Sequence, residues 1–214
     1  MNDIILHKIL KELSKERPIF HSEADFKFAL AWKIKEKVCP EKIIIEYPVN
    51  IENKRIYIDI YFKKGEKEYF FELKYKTKKF EVDYEDMKYI LKDQKACDLG
   101  RYDFIKDISR LERIICEQQN KFGYVIFLSN DEKYLQGTKN TNQDFSFNIG
   151  NKTTIICGEK NWSEEKNIEN LGSRRNSLII NNDYFIKWRD YSKFENIKFN
   201  YLLIKINEIT SNDL

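Results

Sequence analysis

Two alternating segments joined by a short polar turn constrain this chain more than any other feature. In Arg55–Phe62, Ile56, Ile58, Ile60 and Phe62 fall on one side, with Arg55, Tyr57, Asp59 and Tyr61 on the other. Lys63-Lys64-Gly65-Glu66 follows, and Lys67–Tyr75 resumes the pattern. A period of two in β-branched and aromatic residues marks a strand, and a short Gly-containing connection makes the pair a β-hairpin. In the second strand Phe70, Glu72 and Lys74 share a face, with Leu73 opposite. A two-residue turn at Gly65-Glu66 would set Asp59 directly across from Glu72, with Cβ atoms about 4.5–5.5 Å apart. An odd loop length would put them on opposite faces.

Helical and strand patterns surround this hairpin. Ile4, Ile5, Leu6, Ile9, Leu10 and Leu13 predict a helix over Asp3–Lys15, stopped by Pro18. Ser22 reads as the N-cap of a second helix, Glu23–Val38, with Asp25 as a capping-box-like partner. Its apolar face carries Phe26, Leu30 and Ile34, widened by Phe28 and Trp32. Lys42–Val49 reads as a strand. Helical spacing returns from about Tyr84 and is strongest over Asp98–Gln118, where Gly100 is a weak point. The apolar run Phe122–Ser129 suits a strand buried on both faces. Phe145–Ile149 and Thr153–Cys157 read as short strands, Glu159–Ser177 as a long loop and Phe199–Ile206 as a last strand; Asp183–Tyr191 gives no clear signal. The order predicts an α/β fold, a mixed sheet with helices packed on it. All 214 residues are expected to form one domain, with its core over about 18–131 and C-terminal strands and loop over 132–214.

Composition removes several classes. The aromatic share of 14% argues against disorder. The net charge of +3 decides nothing about partners, because patches matter more than sums. Four cysteines without C-x-x-C spacing disfavour structural zinc. With no secretory signal in view, they read as buried thiols in a reducing cytoplasm. No stretch approaches the roughly 18 apolar residues of a membrane span. The only histidines are His7 and His21, neither near a serine elbow, and no phosphate-binding glycine loop is present.

The hairpin carries the chemistry. Two carboxylates held side by side repel each other and call for a compensating cation. Mg²⁺ suits the pair, since it is commonly held by one or two carboxylates together with waters and phosphate oxygens. Lys74 on the same face would then orient or deprotonate an attacking water, or steady charge on phosphorus. The competing reading is a solvated sheet face with a cross-strand ion pair. Against it stand the apolar neighbours Tyr69-Phe70-Phe71 and Tyr75.

Asp59, twelve intervening residues and Glu72-x-Lys74 on a hairpin that follows a helix resemble the PD-(D/E)XK nuclease superfamily, especially small bacterial members without an assigned role. Similar segments include His21–Phe26, Glu72–Thr77, Gln94–Glu112 and Gly123–Asp131. Ile58 stands where the motif often has Pro. The resemblance implies a restriction-endonuclease-like mixed central β-sheet flanked by helices, and Mg²⁺- or Mn²⁺-dependent cleavage of DNA. Asp59 and Glu72 would hold metal, Lys74 would sit beside the nucleophilic water, and Glu23 would be a further acidic ligand. Gln94 and Tyr102 match a Gln and a Tyr found on the following helix in some branches, although Tyr102 also fits core packing.

Lys76, Lys78 and Lys79 lie in a locally basic stretch suited to phosphate contacts, and Arg174-Arg175 is a weaker candidate. No helix-turn-helix or zinc finger is readable. The expected partner is nucleic acid, most simply DNA, with no membrane. Cutting both strands from one site per chain would require a homodimer. The alternative is a catalytically silent nuclease-like scaffold that binds nucleic acid or a protein.

Overall fold

The computed structural model describes residues 3–115, 119–163 and 168–206. Among them are helices α1 (Asp3–Glu16) and α2 (Glu23–Val38), followed by strands β1 (Lys42–Ile51), β2 (Lys54–Lys64), β3 (Lys67–Lys76), β4 (Phe80–Tyr84) and β5 (Met87–Leu91). Helix α3 (Cys97–Ile115), strand β6 (Lys121–Ser129) and the short α4 (Glu132–Gln136) come next. The chain continues through β7 (Thr154–Ile155), β8 (Gly158–Lys160), β9 (Leu178–Ile180), β10 (Tyr184–Phe185), β11 (Trp188–Phe194) and β12 (Ile197–Ile206).

Six strands form a mixed central sheet in the order β1-β2-β3-β6-β12-β11. Only β3 and β6 run parallel. A parallel neighbour needs a crossover, and here it contains the β4–β5 hairpin and α3. Helices α1 and α2 cover one face through Leu10, Phe26, Leu30, Phe71 and Leu73, all buried. Helix α3 covers the other through Ile105, Ile108, Leu111, Val125 and Phe127. Glu112, fully buried on α3, accepts the N–H groups of Asn181 and Asn182 and the Tyr184 hydroxyl, tying the C-terminal segment to this layer.

Several elements match the pattern in the chain. Ser22 Oγ accepts the Asp25 N–H and caps α2. The Asp25 carboxylate reaches one residue further back than in a capping box, to the His21 N–H, and also binds Arg17. The turn between β2 and β3 is Gly65-Glu66, with Lys64 opposite Lys67 and Gly65 at φ 58. Strand β6 is buried on both faces.

Other expectations are corrected. The helical start near Tyr84 is a β-hairpin that turns at Glu85-Asp86, both at positive φ. Its strands alternate Phe80, Val82, Tyr84 and Met87, Tyr89, Leu91, a period of two that the helical reading overlooked. The α3 segment begins at Cys97, and residues 116–118, which include Cys116, lie outside the described residues. Phe145–Phe147 forms a 3₁₀ turn, and only Thr154–Ile155 of the next expected strand pairs. The expected loop over Glu159–Ser177 contains most of β8 and 3₁₀ turns over Ile168–Arg174, with 164–167 outside the described residues. Phe28 and Trp32 point to solvent rather than widening the core, and Cys39 and Cys157 are exposed while Cys97 is buried.

The main correction concerns β2. Ile56 and Ile58 pack on the α3 side, whereas Ile60 and Phe62 pack on the α1/α2 side. Residues two apart on a regular strand face the same way, so the strand rotates at Asp59. Its neighbour β1 does the same: Ile45 faces α1/α2 and Tyr47 faces α3. Between the pairs Ile45–Ile60 and Tyr47–Ile58, the register leaves Glu46 opposite Asp59 without pairing them. Glu46 takes φ 55 there, a conformation that costs a non-glycine residue on the order of 1–3 kcal/mol. The outer hairpin thereby curls over α3, where Arg110 donates to the Tyr57 carbonyl.

Gly100 has a packing reason in α3. A Cβ there would overlap the Tyr134 hydroxyl. Gly100→Ala is therefore expected to destabilise the protein by about 1–3 kcal/mol through overpacking, despite alanine's better helix propensity. Adding Tyr134→Phe should recover part of the loss in a chemical-denaturation double-mutant cycle; simple additivity would contradict the contact.

Candidate active site at the open edge of the third strand

The β2–β3 ladder ends at Ile60–Phe71. Beyond it β2 rotates away, and β3 from Glu72 to Lys76 keeps only β6 as a neighbour. Unpaired backbone N–H groups along that edge need acceptors. Side chains supply them at alternate residues. Leu73 N–H donates to Asp59 Oδ2 at 2.7 Å, and Tyr75 N–H donates to Glu23 Oε2 at 2.8 Å. Thr77 N–H, just past the strand, donates to Gln94 Oε1 at 2.9 Å. Asp59, Glu23 and Gln94 thus stand in for a missing strand, and each carboxylate keeps a second oxygen for other chemistry.

Glu72 and Lys74 point to the other side of this edge, toward α3. Lys74 Nζ lies 2.6 Å from Asp107 Oδ2 and donates to the Leu73 carbonyl. Arg110 Nη2 lies 3.0 Å from Glu72 Oε1, an ion pair that falls short of hydrogen-bond geometry, so this buried oxygen has no hydrogen-bond donor. The guanidinium also reaches Asp107 Oδ1 at 3.2 Å. On the α2 side, Lys27 Nζ sits 2.8 Å from Asp59 Oδ1 and contacts Glu46.

Four carboxylates (Glu23, Asp59, Glu72, Asp107) therefore meet three cations (Lys27, Lys74, Arg110) in a largely closed site. Burial pushes the Glu72 carboxyl well above the usual carboxylate range; Asp107 adds to the rise and Arg110 opposes it. Burial also raises Asp107 and Glu23, with Lys74 opposing both. Burial would lower Lys74, but the Asp107 and Glu23 charges outweigh it and hold the ammonium above the usual lysine range. Carboxyls raised by burial and charge next to a locked cation are a recurring mark of functional sites.

The expected residues are thus brought together in part. The ladder stops one residue short of the expected Asp59–Glu72 pair. Asp59 turns to Lys27 on α2 while Glu72 and Lys74 turn to Arg110 and Asp107 on α3. Glu23, Asp59, Glu72 and Lys74 lie within electrostatic reach of one another. Glu23, Asp59 and Glu72 do not form a three-carboxylate ligand set: among the described residues no three His, Cys, Asp or Glu side chains are grouped to hold a metal. The donor chemistry still suits Mg²⁺, which needs only one or two carboxylates with waters completing its shell. Asp59 Oδ1 and Glu72 Oε1 are hard oxygen donors, and each faces a protein cation in this structure, Lys27 at 2.8 Å and Arg110 at 3.0 Å.

Of the expected nucleic-acid contacts, Lys76 and Gln94 line a cleft of about 370 Å³ that also reaches His21, Glu23 and Lys92. Lys78 and Lys79 are exposed on the following loop, which Asn130 holds through the Lys78 N–H. Arg174 is committed to Asp103 by two hydrogen bonds, at 2.7 and 2.8 Å. Tyr102 is a core residue, stacked on Trp162. A second cleft, about 480 Å³, carries Lys54, Lys106, Arg110 and Arg113 on the α3 flank.

Lys27, Glu46, Asp107 and Arg110 were not singled out from the sequence. One signal existed: Gly100, Phe104, Asp107 and Leu111 follow helical spacing along a buried stripe of α3, and a carboxylate within such a stripe needs a buried cation.

No protein-family model matches the chain, and no curated protein and no solved structure matches it either.

The raised Glu72 carboxyl sets a stability prediction. The folded state holds its proton more tightly than the unfolded chain does. Stability is therefore lost as pH rises from the unfolded carboxylate value through the folded one. Glu72→Gln removes this liability and should raise the melting temperature near neutral pH, by a few degrees for about 1 kcal/mol. Below the unfolded carboxylate range its advantage should vanish. Scanning calorimetry across pH checks both; a lower melting temperature at neutral pH would mean the Arg110 pair outweighs the burial cost.

Proposed function

We propose that this protein is a metal-dependent nuclease of the PD-(D/E)XK superfamily, with a restriction-endonuclease-like fold, hydrolysing phosphodiester bonds in DNA. The observation that carries this reading is that Asp59 and Glu23 accept the open-edge N–H groups of Leu73 and Tyr75, within electrostatic reach of Glu72 and Lys74 on the same strand. The central sheet supports it, since the hairpin strand β3 lies parallel to β6 across a connection containing α3. A defence or repair role follows the same resemblance.

In this reading Asp59 and Glu72 hold Mg²⁺ or Mn²⁺, and Glu23 assists directly or through water. The ion, when bound, supplies Lewis acidity and a more acidic water. Asp59 is oriented by the Leu73 N–H, so its second oxygen, the one paired with Lys27, has a defined direction. Lys74 is held charged by Asp107, which suits it to orient water and stabilise charge on phosphorus rather than to accept a proton. A water oxygen forms the new bond to phosphorus and gives up one proton to solvent, the bond to the leaving oxygen breaks, and that oxygen takes up a proton from solvent. Lys76, Lys78, Lys79 and Gln94 offer backbone contacts beside the Glu23 cleft, which gives a polynucleotide an approach.

One observation favours a silent, binding-only scaffold: Lys27 and Arg110 already neutralise Asp59 and Glu72. A plasmid-nicking assay separates the readings. With Mg²⁺ or Mn²⁺ the wild type should nick, and Asp59→Ala and Lys74→Ala should each lose activity by about 100-fold or more. DNA binding without cutting in either metal would favour the scaffold. Nicking that survives both substitutions would remove these residues from the chemistry.

A further inference from the structure

Lys27 lies one helical turn after Glu23 on α2, and its side chain is mostly buried, with 12% exposed. Its ammonium bridges two carboxylates that face each other across β1 and β2. It contacts Asp59 Oδ1 at 2.8 Å and also binds Glu46. The two ends of this bridge differ. Asp59 is 14% exposed and its Oδ2 is engaged by the Leu73 N–H, so Oδ1 is the oxygen left to accept a cation. Glu46 is 54% exposed and sits at the positive-φ point where β1 rotates.

We infer that Lys27 is a positioning residue that holds Asp59 Oδ1 in place and must yield that oxygen to a divalent cation, with Glu46 retaining the displaced ammonium. The inference rests on the nuclease reading and concerns how that site takes its ion. Two like cations close to one carboxylate oxygen repel strongly in a poorly solvated site. Binding of the ion and the Lys27–Asp59 contact are therefore mutually exclusive, and the lysine lowers metal affinity by the free energy of that contact. Glu46 makes the exchange possible, because the ammonium keeps one anionic partner when it leaves the other. The geometry also accounts for the costly backbone at Glu46, which brings a second carboxylate to Lys27.

The test is Mn²⁺ binding to the full chain without nucleic acid, read from the electron paramagnetic resonance signal of free Mn²⁺. Wild type, Lys27→Met, Glu46→Gln and Asp59→Asn are compared, with circular dichroism melts as a check on folding. Lys27→Met is expected to bind Mn²⁺ about tenfold more tightly, the scale of one lost competing ion pair. Glu46→Gln is expected to bind more weakly than wild type, because the displaced lysine loses its second partner; it serves alone if Lys27→Met does not fold. Asp59→Asn should abolish binding in either background. Equal or weaker binding by Lys27→Met, or unchanged binding by Glu46→Gln, would overturn the role of Lys27 while leaving the nuclease reading intact. Absence of Mn²⁺ binding in both wild type and Lys27→Met, or binding indifferent to Asp59→Asn, would overturn the metal site itself.

Discussion

The hydrogen bond from the Leu73 N–H to Asp59 Oδ2 joins the fold to the candidate chemistry. It forms where β2 turns its faces over and leaves β3 without a partner on one side. An open edge normally needs pairing or cover. Here two carboxylates and an amide provide it, one for each edge-facing N–H. The groups that complete the sheet's hydrogen bonding are the groups that gather charge at the site. Removing any one of them strands a backbone donor as well as altering the electrostatics.

Charge balance sets the second constraint. Burying several carboxylates together is unfavourable unless cations and hydrogen bonds compensate. Helix α2 supplies Lys27 and helix α3 supplies Arg110, from opposite faces of the sheet. Asp107 then fixes Lys74 as a charged group. The two helical layers therefore do more than bury apolar surface. Each brings one cation to one carboxylate, Lys27 to Asp59 and Arg110 to Glu72, and the pairing depends on the packing that seats the helix. Clefts reach the cluster at both flanks, through Glu23 on one side and Arg110 on the other.

The register of the hairpin was legible because turn length and side-chain parity determine it: the two-residue turn at Gly65-Glu66 pairs Lys64 with Lys67 and carries the ladder to Ile60–Phe71, one residue short of Asp59 and Glu72. The capped start of α2 and the long apolar run of β6 were legible for equally local reasons. The rotation at Asp59 was not. Ile56, Ile58, Ile60 and Phe62 are apolar on both sides of it, and two apolar layers accept them equally well. Nothing local separates a strand that keeps one face from a strand that exchanges layers. Lys27, Arg110 and Glu46 escaped notice because isolated charged residues in a chain rich in Lys and Glu carry no periodic signal. The β4–β5 hairpin was misread because its alternating strands are short and its turn, Glu85-Asp86, contains neither Gly nor Pro.

The central claim is that Asp59 and Glu72, held at the open edge of β3, share one divalent ion beside Lys74. A crystal grown with Mn²⁺ and measured for anomalous scattering tests it most directly. The account predicts a single strong peak next to Asp59 and Glu72, with Lys27 moved off Asp59 and Lys74 still against Asp107. Electron density that leaves Lys27 on Asp59 and Arg110 on Glu72, with no anomalous peak between the two carboxylates at saturating Mn²⁺, would contradict it.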